Sequence, residues 1–366
     1  MSARLADSML VSVLIDPTRT ARFTQSEWSD LVASARQANL LGALSVRLQA
    51  VGLVPPASAQ RHLAGAQQLS ERQHRSVRWE AQQLQHALEP LHIPVVVLKG
   101  AAYVMAGYSF SQGRLFGDID LLVPRSAIGD VESRLMLNGW VSAKTSAYDQ
   151  RYYRQWMHEI PPMSHIRRGT VVDVHHTILP LTARRHPDPA AIIGRALPLV
   201  DPALSALRVP APQDLVIHSI THLVHEGELG NGLRDLYDID CMLRHFGPVP
   251  GFWEALQRDA IGNDLAYPVA LGLRLAQRVW GTTVPSALMA ALQRAGKVPS
   301  TLLMAIYDRA LAHAPGGAPD VGVMLARWLL YVRSHALRMP LHLVVPHLIR
   351  KTWMRQFPEK AATAAK

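Results

Sequence analysis

The tripeptide Asp-Ile-Asp occurs twice in this chain, and paired carboxylates of this kind can bind a divalent cation. The first copy lies in GDIDLLV at residues 117–123, and the second lies in YDIDCML at residues 237–243. Side chains two residues apart share one face of a strand, whereas on a helix they diverge by roughly 200°. Only a copy that lies on a strand is therefore expected to place both carboxylates at one ion.

The first copy is predicted to lie on a strand. Apolar residues follow it at 121–123, and Pro124 ends the strand candidate at residues 119–123. On such a strand Asp118 and Asp120 project together, while the apolar residues enter the core. Two carboxylates that close repel each other unless a cation lies between them. Ligation by oxygen alone suits Mg²⁺ or Mn²⁺, which keep coordination positions for phosphate oxygens.

The second copy is predicted to lie on a helix. The apolar residues around it recur at helical spacing and are Leu236, Ile239, Leu243 and Phe246. Asp238 and Asp240 therefore point in different directions and cannot share an ion. The first copy is the candidate metal site, and the second is a coincidence of sequence.

Two further features favour a metal-dependent site for a phosphorylated ligand. A third acid, Asp173, lies in the later strand VVDVH, where it is expected to share one face with His175. The β-branched run at residues 95–98 is followed by Lys99 and Gly100. A glycine turn between a strand and a helix lets backbone N–H groups approach phosphate.

The pattern of elements predicts an α+β fold, in which a small mixed β-sheet is flanked by N- and C-terminal helical regions. Three regions are expected, namely helical residues 1–90, a core at 91–185, and helical residues 205–366 with a basic tail. The strand candidates of the core are residues 95–98, 119–123, 152–160, 163–166 and 171–176, with a turn at 167–169.

Four segments resemble the bacterial group of uncharacterised nucleotidyltransferases, which lies within the DNA polymerase β-like superfamily. The segments are LKGAAY at 98–103, RLFGDIDLLV at 114–123, LNGW at 137–140 and VVDVHH at 171–176. The resemblance covers residues 90–180, with weaker similarity in the helices after residue 211. It implies a nucleotidyltransferase core in which three carboxylates hold a divalent metal beside a nucleoside triphosphate (NTP).

The resemblance implies that Asp118, Asp120 and Asp173 are catalytic and bind the metal, which would be Mg²⁺ or Mn²⁺. The implied reaction is in-line attack of an acceptor oxygen on the α-phosphorus, with release of pyrophosphate. Asp173 would be either a metal ligand or the base that activates the acceptor. The acceptor stays open among a small molecule, a protein and a tRNA, and the base of the NTP stays open as well.

The resemblance also assigns residues to the phosphates. Gly100 would bind the triphosphate through its backbone, and Lys99 and Arg114 would neutralise phosphate charge. The superfamily commonly has Gly-Ser where this chain has Gly100 and Ala101. A hydroxyl contact to phosphate is therefore missing, which leaves the contact to backbone amides and Lys99.

Several histidines are candidates for the wall of the nucleotide or acceptor pocket. His218, His222 and His225 follow one another at i, i+4 and i+7 on a predicted helix, so they share a face. Two such imidazoles can bind zinc, but no cysteine accompanies them. Under the resemblance His175, His222 and Asp238 line the pocket, and ordinary interface histidines are the alternative.

Two other functions stay open. One is a catalytically inactive, nucleotidyltransferase-like binding module that docks on RNA or on an anionic membrane surface. The other is a toxin- or antitoxin-type enzyme that modifies a protein or a tRNA. No apolar window long enough for a transmembrane helix occurs, and a single cysteine fits a reducing compartment. We therefore expect a cytoplasmic protein, which becomes peripheral at the membrane if its tail binds lipid.

The positive charge is concentrated near the C-terminus. The formal net charge is +10, and residues 321–366 contain eight Lys or Arg against one Glu. Arg350, Lys351 and Arg355 cluster beside Trp353, a combination that favours phosphate-rich surfaces. This tail is expected to contact RNA or an anionic membrane, with a solvated helical face as the alternative reading.

Deletion of residues 348–366 is expected to weaken binding to tRNA or to anionic vesicles, because contacts between basic side chains and phosphates release counterions and depend on salt. Filter binding and vesicle sedimentation at low and high salt measure the loss. A chain that ends at residue 360 is the control, because it keeps the cluster around Trp353. If neither ligand binds the intact protein at low salt, the charge only maintains solvation.

Overall fold

The computed structural model describes residues 5–144, 146–225, 227–312, 320–340 and 344. By contacts, the chain divides into two compact units. Unit 1 comprises Met1–Arg78, Tyr103–Phe116 and Pro212–Tyr331, and unit 2 comprises Trp79–Ala102, Gly117–Ala211 and Val332–Lys366. The division into regions at 1–90, 91–185 and 205–366 stays a prediction. The tail cluster around Trp353 lies outside the described residues.

Unit 2 contains a mixed sheet. Its strands are β1 (Val95–Val97), β2 (Asp118–Leu122), β3 (Trp140–Ser142), β4 (Met163–His165), β5 (Val171–His175), β6 (Leu197–Pro198) and β7 (Leu207–Val209). The strand order is β3-β4-β5-β2-β1-β7-β6. β2 pairs parallel with β5 and antiparallel with β1, and β1 pairs parallel with β7. The predicted α+β fold with a mixed sheet is confirmed.

The central strands are buried on both faces. All three valines of β1 are buried, and β2 is buried from Ile119 onward. β-branched and other apolar side chains favour such positions, which is why these strands read as continuous apolar runs in the sequence. The carboxylates of Asp118, Asp120 and Asp173 interrupt those runs, so they lie where packing alone would favour apolar residues.

Along the chain, helices precede, separate and follow the strands of the sheet. They are α1 (Met9–Ile15), α2 (Gln25–Gln37), α3 (Leu41–Ala50), α4 (Ala57–Leu88), α5 (Lys99–Met105), α6 (Ile128–Leu137), α7 (Ala147–Trp156), α8 (Pro189–Arg195), α9 (Pro212–His225), α10 (Gly232–Phe246), α11 (Phe252–Gly262), α12 (Ala266–Trp280), α13 (Ser286–Ala295), α14 (Thr301–Ala310) and α15 (Val321–Arg338). In unit 1, α9 packs against α10, α11 and α12. Among the described residues, no helix is both long and apolar enough to cross a bilayer.

The strand predicted for residues 152–160 is wrong. Most of these residues belong to α7, whose first turn is capped by Ser146. The Ser146 side chain accepts a hydrogen bond from the backbone N–H of Asp149, a contact that stabilises a helix by about 1 kcal/mol. The aromatic residues that favour a strand instead pack along the helix, with the Tyr152 and Trp156 ring centroids 5.9 Å apart.

Two glycines in unit 1 allow a close approach between backbones. A Cβ at Gly42 in α3 would lie 2.2 Å from the carbonyl oxygen of Gly113. A Cβ at Gly113 would lie 2.3 Å from the carbonyl carbon of Gly42, and Gly113 has a φ of +75°. Glycine is therefore needed on both sides for α3 to pack directly on the segment that ends at Gly113.

Gly42→Ala is expected to destabilise the protein by about 2 kcal/mol or more, because the new Cβ collides with a carbonyl that no side-chain rotation can move. Gly65→Ala in α4 is the matched control, since a Cβ there meets nothing within 4 Å. Alanine in a helix interior is favoured over glycine by about 0.5–1 kcal/mol, so the control is expected to be stabilised. Urea unfolding measures both, and a stabilised Gly42→Ala variant would contradict the close contact.

Candidate active site

Three carboxylates meet on the neighbouring strands β2 and β5. The parallel register places Asp120 beside Asp173 and Asp118 beside Val171. One oxygen each from Asp118, Asp120 and Asp173 lies within 4.8 Å of the other two. Asp120 is buried, and the other two side chains are partly exposed. The structure thus brings together the three acids that the sequence singles out.

Asp120 receives two hydrogen bonds on a single oxygen. Lys99 Nζ donates to Asp120 Oδ1 at 2.8 Å, and His175 Nε2 donates to the same oxygen at 2.9 Å. Burial alone would raise the pKa of Asp120, but the charges of Lys99 and His175 hold it well below its usual range. Among the described residues, none donates to Asp120 Oδ2. A deprotonated oxygen of Asp120 therefore remains for a ligand.

Lys99 reaches Asp120 from the first residue of α5. The backbone there is unusual, with a φ of +48° for a residue that carries a Cβ. The N–H of Leu98 donates to the carbonyl of Asp120 at 2.9 Å, which fixes the end of β1 against β2. Burial would lower the pKa of Lys99, but Asp120 raises it above its usual value. Lys99 is therefore a fixed positive charge at the site.

Asp173 does not receive the hydrogen bonds from Lys99 and His175 that Asp120 receives. Its Oδ1 is buried and has no hydrogen-bond partner among the described residues. Burial, with the charges of Glu159, Asp120 and Asp118, raises the pKa of Asp173 to about 8. A divalent cation would supply the missing positive charge, and an oxygen-only donor set suits Mg²⁺ or Mn²⁺. The residues therefore fit the metal that nucleotidyltransferases use.

A fourth carboxylate, Glu159, was not predicted. The residues after α7 run antiparallel to β5, and the N–H of Ile160 donates to the carbonyl of Val174 at 3.0 Å. This pairing brings Glu159 Oε2 to 3.4 Å from His175 Nε2. Burial raises the pKa of Glu159, although His175 and Lys99 oppose the rise. The sequence holds no signal for this residue, because only tertiary pairing brings it to the site.

His175 connects Asp120 with Glu159. Burial would lower the pKa of His175, but its hydrogen bond to Asp120 and the charge of Glu159 raise it. The ligand atoms of His158, Glu159 and His175 also lie within 4.8 Å of one another. Because His175 already donates to Asp120, we interpret this group as support for the carboxylates.

The predicted residues Arg114, His222 and Asp238 belong to unit 1. Arg114 is buried, and its Nε donates to Asp238 Oδ2 at 2.6 Å. Its guanidinium carbon lies 5.4 Å and 5.7 Å from the ring centroids of Tyr103 and Phe116. His222 is partly buried in α9. The phosphate contact of Arg114 and the pocket roles of the other two stay predictions.

The structure gives no support to zinc binding by α9. His218 and His225 are buried, and His225 Nδ1 donates to the carbonyl of Thr221 at 2.8 Å. In the part of the chain that the structure describes, no group able to hold a metal ion includes a histidine of α9.

The second Asp-Ile-Asp copy lies in α10, as predicted. Its two carboxylates have separate partners. Asp238 accepts from Arg114, whereas both oxygens of Asp240 accept from Arg244 Nε and its Oδ1 also accepts from the Thr282 hydroxyl at 2.6 Å. The helical copy therefore does not place its two carboxylates at one ion.

The sequence model of the family described as "Uncharacterised nucleotidyltransferase" matches residues 24–281. The chain belongs to this family. The matched range contains β1, β2 and β5, and hence all the carboxylates described above. Neither the curated proteins nor the solved structures contain a significant match to this chain. Membership in a nucleotidyltransferase family implies an NTP substrate, while the bacterial grouping and the polymerase β-like superfamily stay predictions.

Metal-free protein is expected to lose stability as pH rises from near 3.8 to about 8, because folded Asp173 keeps a proton that the unfolded chain has released. Asp173→Asn removes this titration, so the variant is expected to lose less stability over that range. Thermal unfolding in a chelator at several pH values measures the difference. Added Mg²⁺ is expected to flatten the wild-type profile, since a bound cation favours the ionised carboxylate. Identical profiles for the two proteins would show that Asp173 is not protonated.

Proposed function

We propose that this chain is a metal-dependent nucleotidyltransferase that moves a nucleoside monophosphate from an NTP to an acceptor and releases pyrophosphate. One observation carries the proposal: in a chain of this family, three carboxylates converge, and Asp173 keeps a buried oxygen that no described residue contacts by a hydrogen bond. An uncompensated buried carboxylate opposes folding, and groups of this kind cluster at functional sites.

In this proposal Asp118 and Asp120 would hold the cation, Mg²⁺ or Mn²⁺, and Asp173 would be its third ligand or the base. When bound, the cation stabilises charge on the attacking and leaving oxygens. Asp120 contributes Oδ2, because Lys99 and His175 both bond to Oδ1. His175 keeps the Asp120 carboxylate oriented, a role that supporting residues often have around metal ligands.

Asp173 also has the properties of a general base. A catalytic base works best when its pKa lies near the operating pH, and burial with neighbouring carboxylates raises the pKa of Asp173 to about 8. We propose that Asp173 accepts the proton of the acceptor hydroxyl, or serves as the third ligand.

The phosphate contacts are proposed for the start of α5. Lys99 carries a fixed positive charge there, and Gly100 is the second residue of the helix. Backbone N–H groups at a helix start favour anions. The buried ion pair of Arg114 with Asp238 favours a structural role for Arg114 within unit 1.

The inactive binding module is less well supported, because Asp118, Asp120, Asp173 and Lys99 are all present and close together. For the acceptor, a small molecule, a protein and a tRNA remain the alternatives, and the last two would fit a toxin-type enzyme. The single cysteine favours a reducing compartment, so we place the protein in the cytoplasm, with the basic tail at RNA or at an anionic membrane.

Asp120→Asn is expected to remove most Mg²⁺-dependent NTP binding and to lower transfer by about a hundredfold or more, because a Mg²⁺ site formed by few carboxylates loses one charge. Calorimetry with ATP, GTP, CTP and UTP, with and without Mg²⁺, measures the binding. Asp240→Asn is the matched control, since it makes the same change in the same tripeptide. It breaks the ion pair with Arg244 and is expected to cost about 1–3 kcal/mol of stability while leaving NTP binding intact.

Circular dichroism confirms that both variants are folded before binding is compared. Incubation of the wild type with labelled NTP, Mg²⁺ and cell extract then identifies the acceptor class from the fraction that carries label. Unchanged NTP affinity after chelation would contradict the metal-dependent proposal. Mg²⁺-dependent binding without any labelled fraction would favour the binding module.

A further inference from the structure

Unit 1 contains a cavity of about 470 Å³ that is independent of the carboxylates on β2 and β5. Its walls come from α3, residues 109–112 and α10. The contact between Gly42 and Gly113 fixes the distance between α3 and the segment at 109–112. A cavity of this volume lies within the range of small-molecule sites, roughly 300–1,000 Å³.

The wall contains basic side chains and no acidic ones among the described residues. Arg47, Arg244 and His245 line the cavity, and none of the described residues that line it is Asp or Glu. Arg244 is paired with Asp240, which does not itself line the cavity, so Arg47 supplies the uncompensated positive charge. A basic group in a concave wall focuses positive potential on the space beside it. The cavity is therefore suited to an anion.

Arg47 is held in place by hydrogen bonds to neutral backbone groups. Its Nε and Nη2 donate to the backbone carbonyls of Leu14 and Ile15, both at 3.1 Å. Among the described residues, no carboxylate pairs with Arg47. These two bonds already hold the guanidinium in place. Binding an anion through its remaining N–H groups therefore costs little further side-chain entropy.

Arg244, on α10, is also held in place by hydrogen bonds. Its Nε donates to both oxygens of Asp240 at 2.8 Å and 2.9 Å, and its Nη2 donates to the Trp280 carbonyl at 2.8 Å. These bonds leave Nη1 without a partner in the described part of the chain. The cavity thus presents two oriented guanidinium groups with unused donors.

The rest of the wall is apolar or neutral. The Phe110 ring lies edge-on to His245, with centroids 5.6 Å apart, and Tyr237 packs against Trp280 at 5.2 Å. Burial, followed by the charge of Asp240, raises the pKa of Cys241 to about 12, so its thiol is neutral. Aromatic and neutral surfaces of this kind contact an apolar body rather than a second charge.

We propose that this cavity binds a small organic anion, with a carboxylate or phosphate group on an aromatic or other apolar body. The acidic group is bound between Arg47 and Arg244, and the apolar body lies against Phe110 and Tyr237. This binding goes beyond nucleotidyl transfer and does not depend on it, because none of the residues assigned to transfer lines the cavity.

Cys241 offers a direct measurement, because it is the only cysteine in the chain and it lines the cavity. The experiment follows alkylation of the full-length protein by iodoacetamide, an uncharged reagent, by mass spectrometry at about pH 9 and over several hours, because the raised pKa of Cys241 leaves little of the reactive thiolate at neutral pH. Naphthoate, naphthyl phosphate and the neutral naphthamide are the probes. The two anions are expected to slow alkylation. The half-protecting concentration of naphthamide is expected to be higher by about tenfold or more. A comparison of the two anions distinguishes carboxylate from phosphate ligands.

Arg47→Met is expected to raise the half-protecting concentration of both anions by about tenfold or more. Arg274→Met is the matched control, since Arg274 also donates to a backbone carbonyl, that of Pro299, and does not line the cavity. It is expected to leave protection unchanged. Because Arg47 supports the end of α1, Ala50→Phe provides a second variant, which fills the cavity without removing a guanidinium bond and is expected to abolish protection.

Three results would overturn the proposal. The first is unchanged alkylation of Cys241 at millimolar concentrations of both anions. The second is equal protection by naphthamide and naphthoate, which would mean that charge is not recognised. The third is full protection in folded Ala50→Phe, which would place the anion elsewhere. NTP binding to the Arg47→Met protein is measured as well and is expected to equal that of the wild type. A loss of anion protection with unchanged NTP binding therefore concerns the cavity and not the proposed transferase site.

Discussion

The parallel pairing of β2 with β5 is the constraint on which the site depends, because it places Asp120 directly beside Asp173. Two carboxylates within 4.8 Å repel each other by roughly 3 kcal/mol at an effective dielectric constant of 20. Packing cannot relieve this repulsion, since both strands are fixed by their backbone hydrogen bonds and buried neighbours. Charge compensation must come from elsewhere in the unit.

The compensation is asymmetric. Lys99 and His175 both donate to Asp120, whereas Asp173 Oδ1 has no partner among the described residues. Because of this difference, one carboxyl stays ionised and the other has a raised pKa. Glu159 strengthens the asymmetry, because it holds the charge on His175 while adding negative charge near Asp173. Unequal environments for neighbouring acids are how one site obtains both a ligand and a base.

The sequence predicts those parts of the fold that depend on local patterning. β1, β2 and β5 were predicted because buried strands read as short, largely apolar segments. α10 was predicted because its apolar residues recur at helical spacing. Residues 152–160 were wrongly predicted, since aromatic residues favour strands on average while the Ser146 cap decides the helix locally. β6 and β7 have only two or three residues each, too few for a pattern.

The parts of the site that the sequence misses depend on contacts between distant residues. Glu159 reaches the site through pairing with β5, and no local pattern marks it. Arg114 pairs with Asp238, a partner 124 residues away in the chain that no local pattern indicates, and its phosphate contact stays a prediction. A motif therefore predicts which residues share a strand face, and it does not predict which charges the fold brings to them.

The two Asp-Ile-Asp copies show what separates a structural acid from a functional one. In α10 each carboxylate has its own partner, Arg114 for one and Arg244 with Thr282 for the other. On β2 and β5 the carboxylates outnumber their partners. Four acids, namely Asp118, Asp120, Glu159 and Asp173, surround two cationic side chains, Lys99 and His175. The helical copy is neutralised by folding alone. Around the strand copy two negative charges remain, so neutrality needs two retained protons or one divalent cation, and this excess charge supports the proposed metal site.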